Sequence, residues 1–169
     1  MFSNYIDVLG SNPNLLPGVS RIYGQFITED PQNEANIIFR KLLLKRLQED
    51  QNILFNEMLS WLFVQQKEFK KAFLQEKAIY RRSQQGLGSI MRLTVMANEA
   101  GQPETALEVL DFIIEETPQE EVKLQAHQLK LNILKETLPK KNYPEIETAY
   151  KELFDTYGKG MNTLSLHID

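Results

Sequence analysis

Covalent or metal chemistry requires nucleophiles, acid–base groups or metal ligands brought together, and this chain holds few residues of those types. It has no cysteine and two histidines, His127 and His167. Without cysteine there are no disulfides, no thiolate nucleophiles and no cysteine-bearing zinc or iron–sulfur sites, although the compartment is not fixed by this. His127 falls in an apolar helical stripe with Leu131, Leu134 and Leu138, where an isolated imidazole reads as a core or groove residue. His167 has no periodic partner. No Glu-x-x-His pair occurs that could converge on a metal from facing helices. The acidic runs Glu115-Glu116 and Glu120-Glu121 fall at one helix end and the next helix start, where carboxylates favour the N-terminal dipole. Gln85-Gly86-Leu87-Gly88-Ser89 offers a G-x-G at a helix start, but the element before it reads as helix, and neither a Walker lysine nor a third glycine follows. It reads as a turn. No catalytic residue, no metal site and no cofactor is expected, which leaves Trp61, the single tryptophan, as the side chain best suited to recognition.

The elements that would position Trp61 are helical. With 169 residues and 42% hydrophobic content the chain can bury a sizeable core. No run approaches the roughly 18–20 apolar residues that span a bilayer, and MFSNYIDVLG is no signal peptide. The expectation is a soluble chain, cytoplasmic, or periplasmic where a parent protein carries an upstream signal. Segments rich in Leu, Glu, Lys and Gln are punctuated by Pro, Gly, Asn and Asp, with no run of strict alternation. The pattern predicts a short helix near 2–9 and helices near 15–28, 31–48, 51–66, 68–84, 87–100, 103–117, 120–138 and 144–157. Asp30-Pro31 and Gln102-Pro103 put proline where a first helical turn lacks a use for its N–H. Gly101 and Gly158 are placed to take the left-handed conformation that ends a helix. Short connections make consecutive helices antiparallel, with a longer turn at Leu138 to Tyr143.

Shifting the sequence by 34 residues places Leu59 on Leu93, Ser60 on Thr94, Phe63 on Ala97, Ala72 on Ala106, Ile79 on Ile113 and Tyr80 on Ile114. The segment 86–118 resembles the tetratricopeptide repeat, a 34-residue helix–turn–helix unit. Ala106 stands at the signature alanine of the second helix, Leu110 and Ile113 at packing positions, Gly101 at the turn and Pro118 at the close. The segment 52–84 matches at Leu59, Ser60, Phe63, Phe69 and Ala72, but Glu76 replaces a bulky apolar residue and Gln84 the closing proline. Outer units are degenerate: Tyr23-Gly24, Ile27, Ala35, Phe39 and Leu42 imitate the pattern on one side, and Tyr143, Ile146, Tyr150 and Leu153 on the other. The resemblance implies an all-α, right-handed α-α superhelix of about four antiparallel helix pairs. These fall near 15–48, 51–84, 86–118 and 119–157 of a single array over 1–157, with 158–169 as a tail or the start of a further element.

By the same resemblance, alternate first-helix positions line the concave groove. Glu57, Trp61, Val64 and Gln65 would point there, with Met91, Val95, Asn98 and Glu99 from the next unit. Against this, Trp61 could instead pack on a neighbouring pair. The family's carboxylate clamp uses Lys, Arg and Asn side chains from first helices, and 52–66 has no Lys or Arg. The expected function is a non-catalytic scaffold that binds a peptide or helix of a protein partner. The alternative is a structural segment of a longer solenoid that stacks on flanking repeats or self-associates. A formal net charge of −4 argues against a nucleic-acid partner. Charge is polarised: Glu99 to Glu121 holds carboxylates and no Lys or Arg, whereas Lys67 to Arg82 is mainly basic. These stretches read as solvated helix faces or as surfaces that steer a partner.

Overall fold

The computed structural model describes residue 6, residues 12–137 and residues 143–158. The expected helix at 2–9, the turn after Leu138 and the tail beyond 158 therefore lie largely or wholly outside the described residues. A 3-10 turn, Pro13–Leu15, leads into α1 (Leu16–Tyr23), followed by α2 (Glu34–Glu49), α3 (Ile53–Gln65), α4 (Phe69–Ser83), α5 (Leu87–Glu99), α6 (Pro103–Glu116), α7 (Glu120–Thr137) and α8 (Tyr143–Tyr157). Among the described residues there is no strand, and the fold is all-α. The chain divides into two compact units, Met1–Ser89 and Ile90–Asp169.

In the first unit α3 packs against both α2 and α4, over a core that includes Tyr23, Phe39, Leu43, Met58, Leu59, Leu62 and Phe73. Two helix limits differ from expectation. α1 ends at Tyr23, and α2 starts at Glu34 rather than at Pro31. Local side-chain acceptors compete with the helix here: Asp30 Oδ1 accepts from the Gln32 N–H at 2.9 Å, and Asn33 Oδ1 caps α2 by accepting from the Ala35 N–H at 3.0 Å. The loop is tied down from inside by Asn36, which is fully buried. Its amide donates to the Thr28 and Asp30 carbonyls at 2.8 and 2.6 Å and accepts from the Thr28 N–H at 3.2 Å. Asn36 and Leu43 thus take the inward positions expected of Ala35 and Leu42, which are half-buried.

In the second unit α7 packs against α6 and α8. Leu131, Ile146 and Leu153 form the centre of the α7–α8 contact, with Leu124, Leu134, Ala149, Tyr150 and Tyr157 around them. Ile146 and Leu153 thereby face inward, as the sequence pattern predicts.

The turns after α3 and α5 repeat hydrogen bond by hydrogen bond. Gln66, Lys67 and Glu68 donate to the carbonyls of Leu62, Val64 and Phe63 at 3.2, 3.0 and 2.9 Å. The residues 34 positions on, Ala100, Gly101 and Gln102, donate to Met96, Asn98 and Ala97 at 3.1, 2.9 and 2.9 Å. Each turn has one left-handed residue, Lys67 at φ 55° and Gly101 at φ 74°. Pro103 then opens α6 at its first turn, as the sequence predicts. Past the second helices the match continues in part: Ser83 Oγ accepts from the Gln85 N–H at 3.1 Å, and Thr117 Oγ1 from the Gln119 N–H at 3.2 Å. The two helix ends differ because Gln84 takes a left-handed cap at φ 56° whereas Thr117, before Pro118, is extended, the conformation that a following proline enforces.

Candidate partner-docking faces

Helix α3 is held between two neighbours and is buried almost all round: Leu54, Phe55, Asn56, Met58, Leu59, Ser60, Leu62 and Phe63 are inside. One stripe escapes. Ile53, Trp61 and Val64 are half-buried and Glu57 and Gln65 exposed, at the i, i+4, i+8, i+11 and i+12 spacing of a single helical face. All four residues that the sequence assigns to the groove from this helix therefore share a face. Ile53 belongs to it as well, and its place one turn before Glu57 was the signal for it.

Trp61 is both rooted and reachable. Its ring meets that of Phe39 on α2 edge to face, with centroids 6.4 Å apart, and Phe39 in turn meets Tyr23 on α1 at 4.7 Å. Packing on a neighbouring helix and partial exposure thus coexist at Trp61. Among the described residues the indole N–H has no hydrogen-bond partner. Glu57, one turn away, is exposed as a whole residue, yet the protein around its carboxyl withdraws enough water to raise its pKa above the ordinary 4.5.

The second unit presents the corresponding stripe on α5. Ile90, Leu93, Thr94 and Ala97 are buried; Met91 and Asn98 are half-buried, while Val95 and Glu99 are exposed. Val95 and the neighbouring Met96 are 41% and 40% exposed. Met96 extends the apolar part of this surface and was not assigned from sequence, because it lies on the far side of Val95 from Met91. The eight predicted residues thus fall as four on α3 of the first unit and four on α5 of the second.

The contact between α3 and α4 is polar at its centre. Asn56 donates to Gln75 Oε1 at 2.9 Å and accepts from the Arg82 guanidinium, which also donates to the Gln51 carbonyl at 2.8 Å. Ser60 Oγ donates to Glu76 Oε1 at 2.5 Å. The residues 34 positions beyond Asn56, Gln75 and Glu76 are Ile90, Val109 and Leu110, all fully buried. Glu76 is therefore no defect of the pattern; it is the partner of a buried serine. Only its departure from the repeat could have revealed this.

The basic stretch is engaged within its own unit. Lys67 pairs with Glu29 at 2.8 Å and Lys71 with Glu68 at 2.5 Å, while Lys77 lies 4.9 Å over the Phe73 ring. In the acidic stretch Asp111 joins α6 to α7 through Lys130 at 2.7 Å. His127 is half-buried on α7 and meets Tyr157 of α8 edge-on at 5.9 Å. Burial and then the Lys130 charge press its pKa below 6.5, with Lys123 adding to them and Glu152 and Asp111 opposing. No nucleophile is brought to it among the contacts it makes. Gly86, at φ 98°, belongs to the turn between α4 and α5, where the Ser89 N–H bonds to its carbonyl at 2.9 Å. Among the described residues no three His, Asp or Glu side chains gather as a metal site would need, and no helix is long and apolar enough to cross a membrane. His167 lies outside the described residues.

No family model, curated protein or solved structure matches this chain.

Proposed function

We propose that the chain is a non-catalytic protein-interaction scaffold of tetratricopeptide-like helix pairs, whose first-helix faces receive a peptide or helix of a partner protein. The observation that carries this reading is the α3 stripe, in which a helix buried on every other side keeps a rooted aromatic half-open. Aromatic side chains held rigidly at a surface lose little entropy on binding and dominate interface energetics. The recurrence of the α3–α4 turn 34 residues later supports the repeat architecture. On this reading Met91, Val95, Asn98 and Glu99 on α5 are the corresponding face of the second unit.

The test is affinity capture by the chain beside a Trp61→Ala variant of verified helical content. A partner held by the parent and weakened about 30-fold or more in the variant, the loss expected of a hot-spot residue worth about 2 kcal/mol, supports the reading. A dissociation constant unchanged by the substitution removes Trp61 as the anchor. Self-association is a second reading, favoured by the exposure of Ile38 and Leu44 on α2, 47% and 45%. Light scattering behind size exclusion would then show mass rising with concentration.

A further inference from the structure

Among the described residues, the one charge on the α3 stripe has no counter-charge. Glu57 and Trp61 stand one helical turn apart, which brings their β-carbons to about 5–6 Å. Among the described residues Glu57 makes no ion pair and no hydrogen bond. Burial raises the pKa of its carboxyl, and no cation among the described residues offsets this. An exposed carboxylate beside an aromatic ring is free to take an incoming cation. The other members of the stripe, Ile53, Val64 and Gln65, are neutral, and the first lysine beyond it, Lys67, is taken by Glu29 at 2.8 Å.

We propose, building on the docking reading above, that this face takes a segment of a partner protein that presents a lysine or arginine within one turn of an aliphatic side chain. The cation sits between the Glu57 carboxylate and the Trp61 ring, and the aliphatic group lies against Val64. Each of the two anchors selects the same chemistry. Tryptophan is the best aromatic acceptor for a cation, and arginine also stacks on it through its plane. An acidic segment would bring a second carboxylate to a site that already lacks a counter-charge. A wholly apolar one would strip the remaining water from Glu57 without replacing it.

The experiment is selection of a phage-displayed random dodecapeptide library on the chain, and on Glu57→Gln, Glu57→Lys and Trp61→Ala variants of equal helical content. A synthetic peptide from the selected pool is then titrated by following the fluorescence of Trp61, the single tryptophan. The expected pool shares a Lys or Arg next to an aliphatic residue. Replacing that residue by norleucine, or Glu57 by glutamine, weakens binding about tenfold, the scale of a partly desolvated charge pair. Glu57→Lys weakens it further and selects acidic peptides instead. Peptides that depend on Trp61 but carry no shared cation, or that bind Glu57→Gln as tightly as the parent, overturn this inference while leaving the docking reading standing. A pool indifferent to Trp61, or no enrichment at all, overturns both.

Discussion

The turns after α3 and α5 each place one residue in the left-handed region, lysine in the first and glycine in the second, so exchanging residue types across the repeat should move stability in opposite directions. In Gly101→Ala the new methyl group meets no heavy atom within 4 Å, and no clash contributes. What remains is the cost of holding an L-residue at φ 74°, about 1–2 kcal/mol. The stiffer unfolded chain of alanine returns about 0.4–1 kcal/mol of this, for a net loss of about 1 kcal/mol. In Lys67→Gly the same strain is released and the same entropy works against the change. The ion pair with Glu29 is also lost, but its side chains are 55% and 67% exposed, and such pairs contribute about 0–1 kcal/mol. The net gain is then smaller, about 0.5 kcal/mol, and a Glu29→Gln background separates the charge from the backbone. Far-UV circular dichroism melts of the full chain give the readout, at about 2–4 °C per kcal/mol for a chain of this size. Gly101→Ala should melt lower, Lys67→Gly in the Glu29→Gln background higher, and the two changes should add. A Gly101→Ala chain as stable as the parent would refute the left-handed turn. A Lys67→Gly chain that gains nothing once Glu29 is neutral would refute the equivalence of the two turns.

Two further outcomes follow from other parts of the fold. Asn36→Ala removes the three hydrogen bonds that a fully buried amide makes to the loop backbone at Thr28 and Asp30, which should cost about 3 kcal/mol at about 0.5–1.5 kcal/mol per bond; a shift in urea midpoint equivalent to under about 0.5 kcal/mol would show that the 24–33 loop does not depend on it. His127 has a folded pKa below its unfolded 6.5, so below pH 6.5 the unfolded chain binds the extra proton and stability falls as pH falls through the folded value. The difference in melting temperature between the parent and His127→Gln, both in a His167→Gln background, should shrink across that window, and an imidazole titrating at or above 6.5 by NMR would sink the argument.

Much of the architecture was legible because it is written in residues that recur. Ala72 and Ala106, Leu59 and Leu93, and the Gly101 turn are each specified by a local steric demand that leaves a mark at fixed spacing. The α3 stripe could be assigned for the same reason, since a helix packed on both sides leaves one arc open. What escaped was cooperative. Pro31 looks like a helix start until Asp30 and Asn33 are seen to bond their own backbone, and Asn36, a polar residue beside an apolar run, gives no hint that it caps three distant groups. Likewise the pairing of Ser60 with Glu76 is a relation between two helices, and no single window of sequence contains it. The partial exposure of Trp61 depends on where Phe39 arrives.

The polar contact between α3 and α4 bears on how the chain avoids folding wrongly. Units of one design invite confusion, because a first helix can find the second helix of another unit and settle there. If α3 docked on α6, Asn56 and Ser60 would be set against Val109 and Leu110, apolar residues that offer them nothing, while Gln75, Glu76 and Arg82 lost their partners. The two buried ones, Asn56 and Ser60, left so would cost about 1–3 kcal/mol each, a sizeable part of a domain's typical margin of stability of about 5–15 kcal/mol. The hydrogen bonds of Asn56 and Ser60 thus act as an address: they add little to the depth of the native state and a great deal to the height of the nearest wrong one.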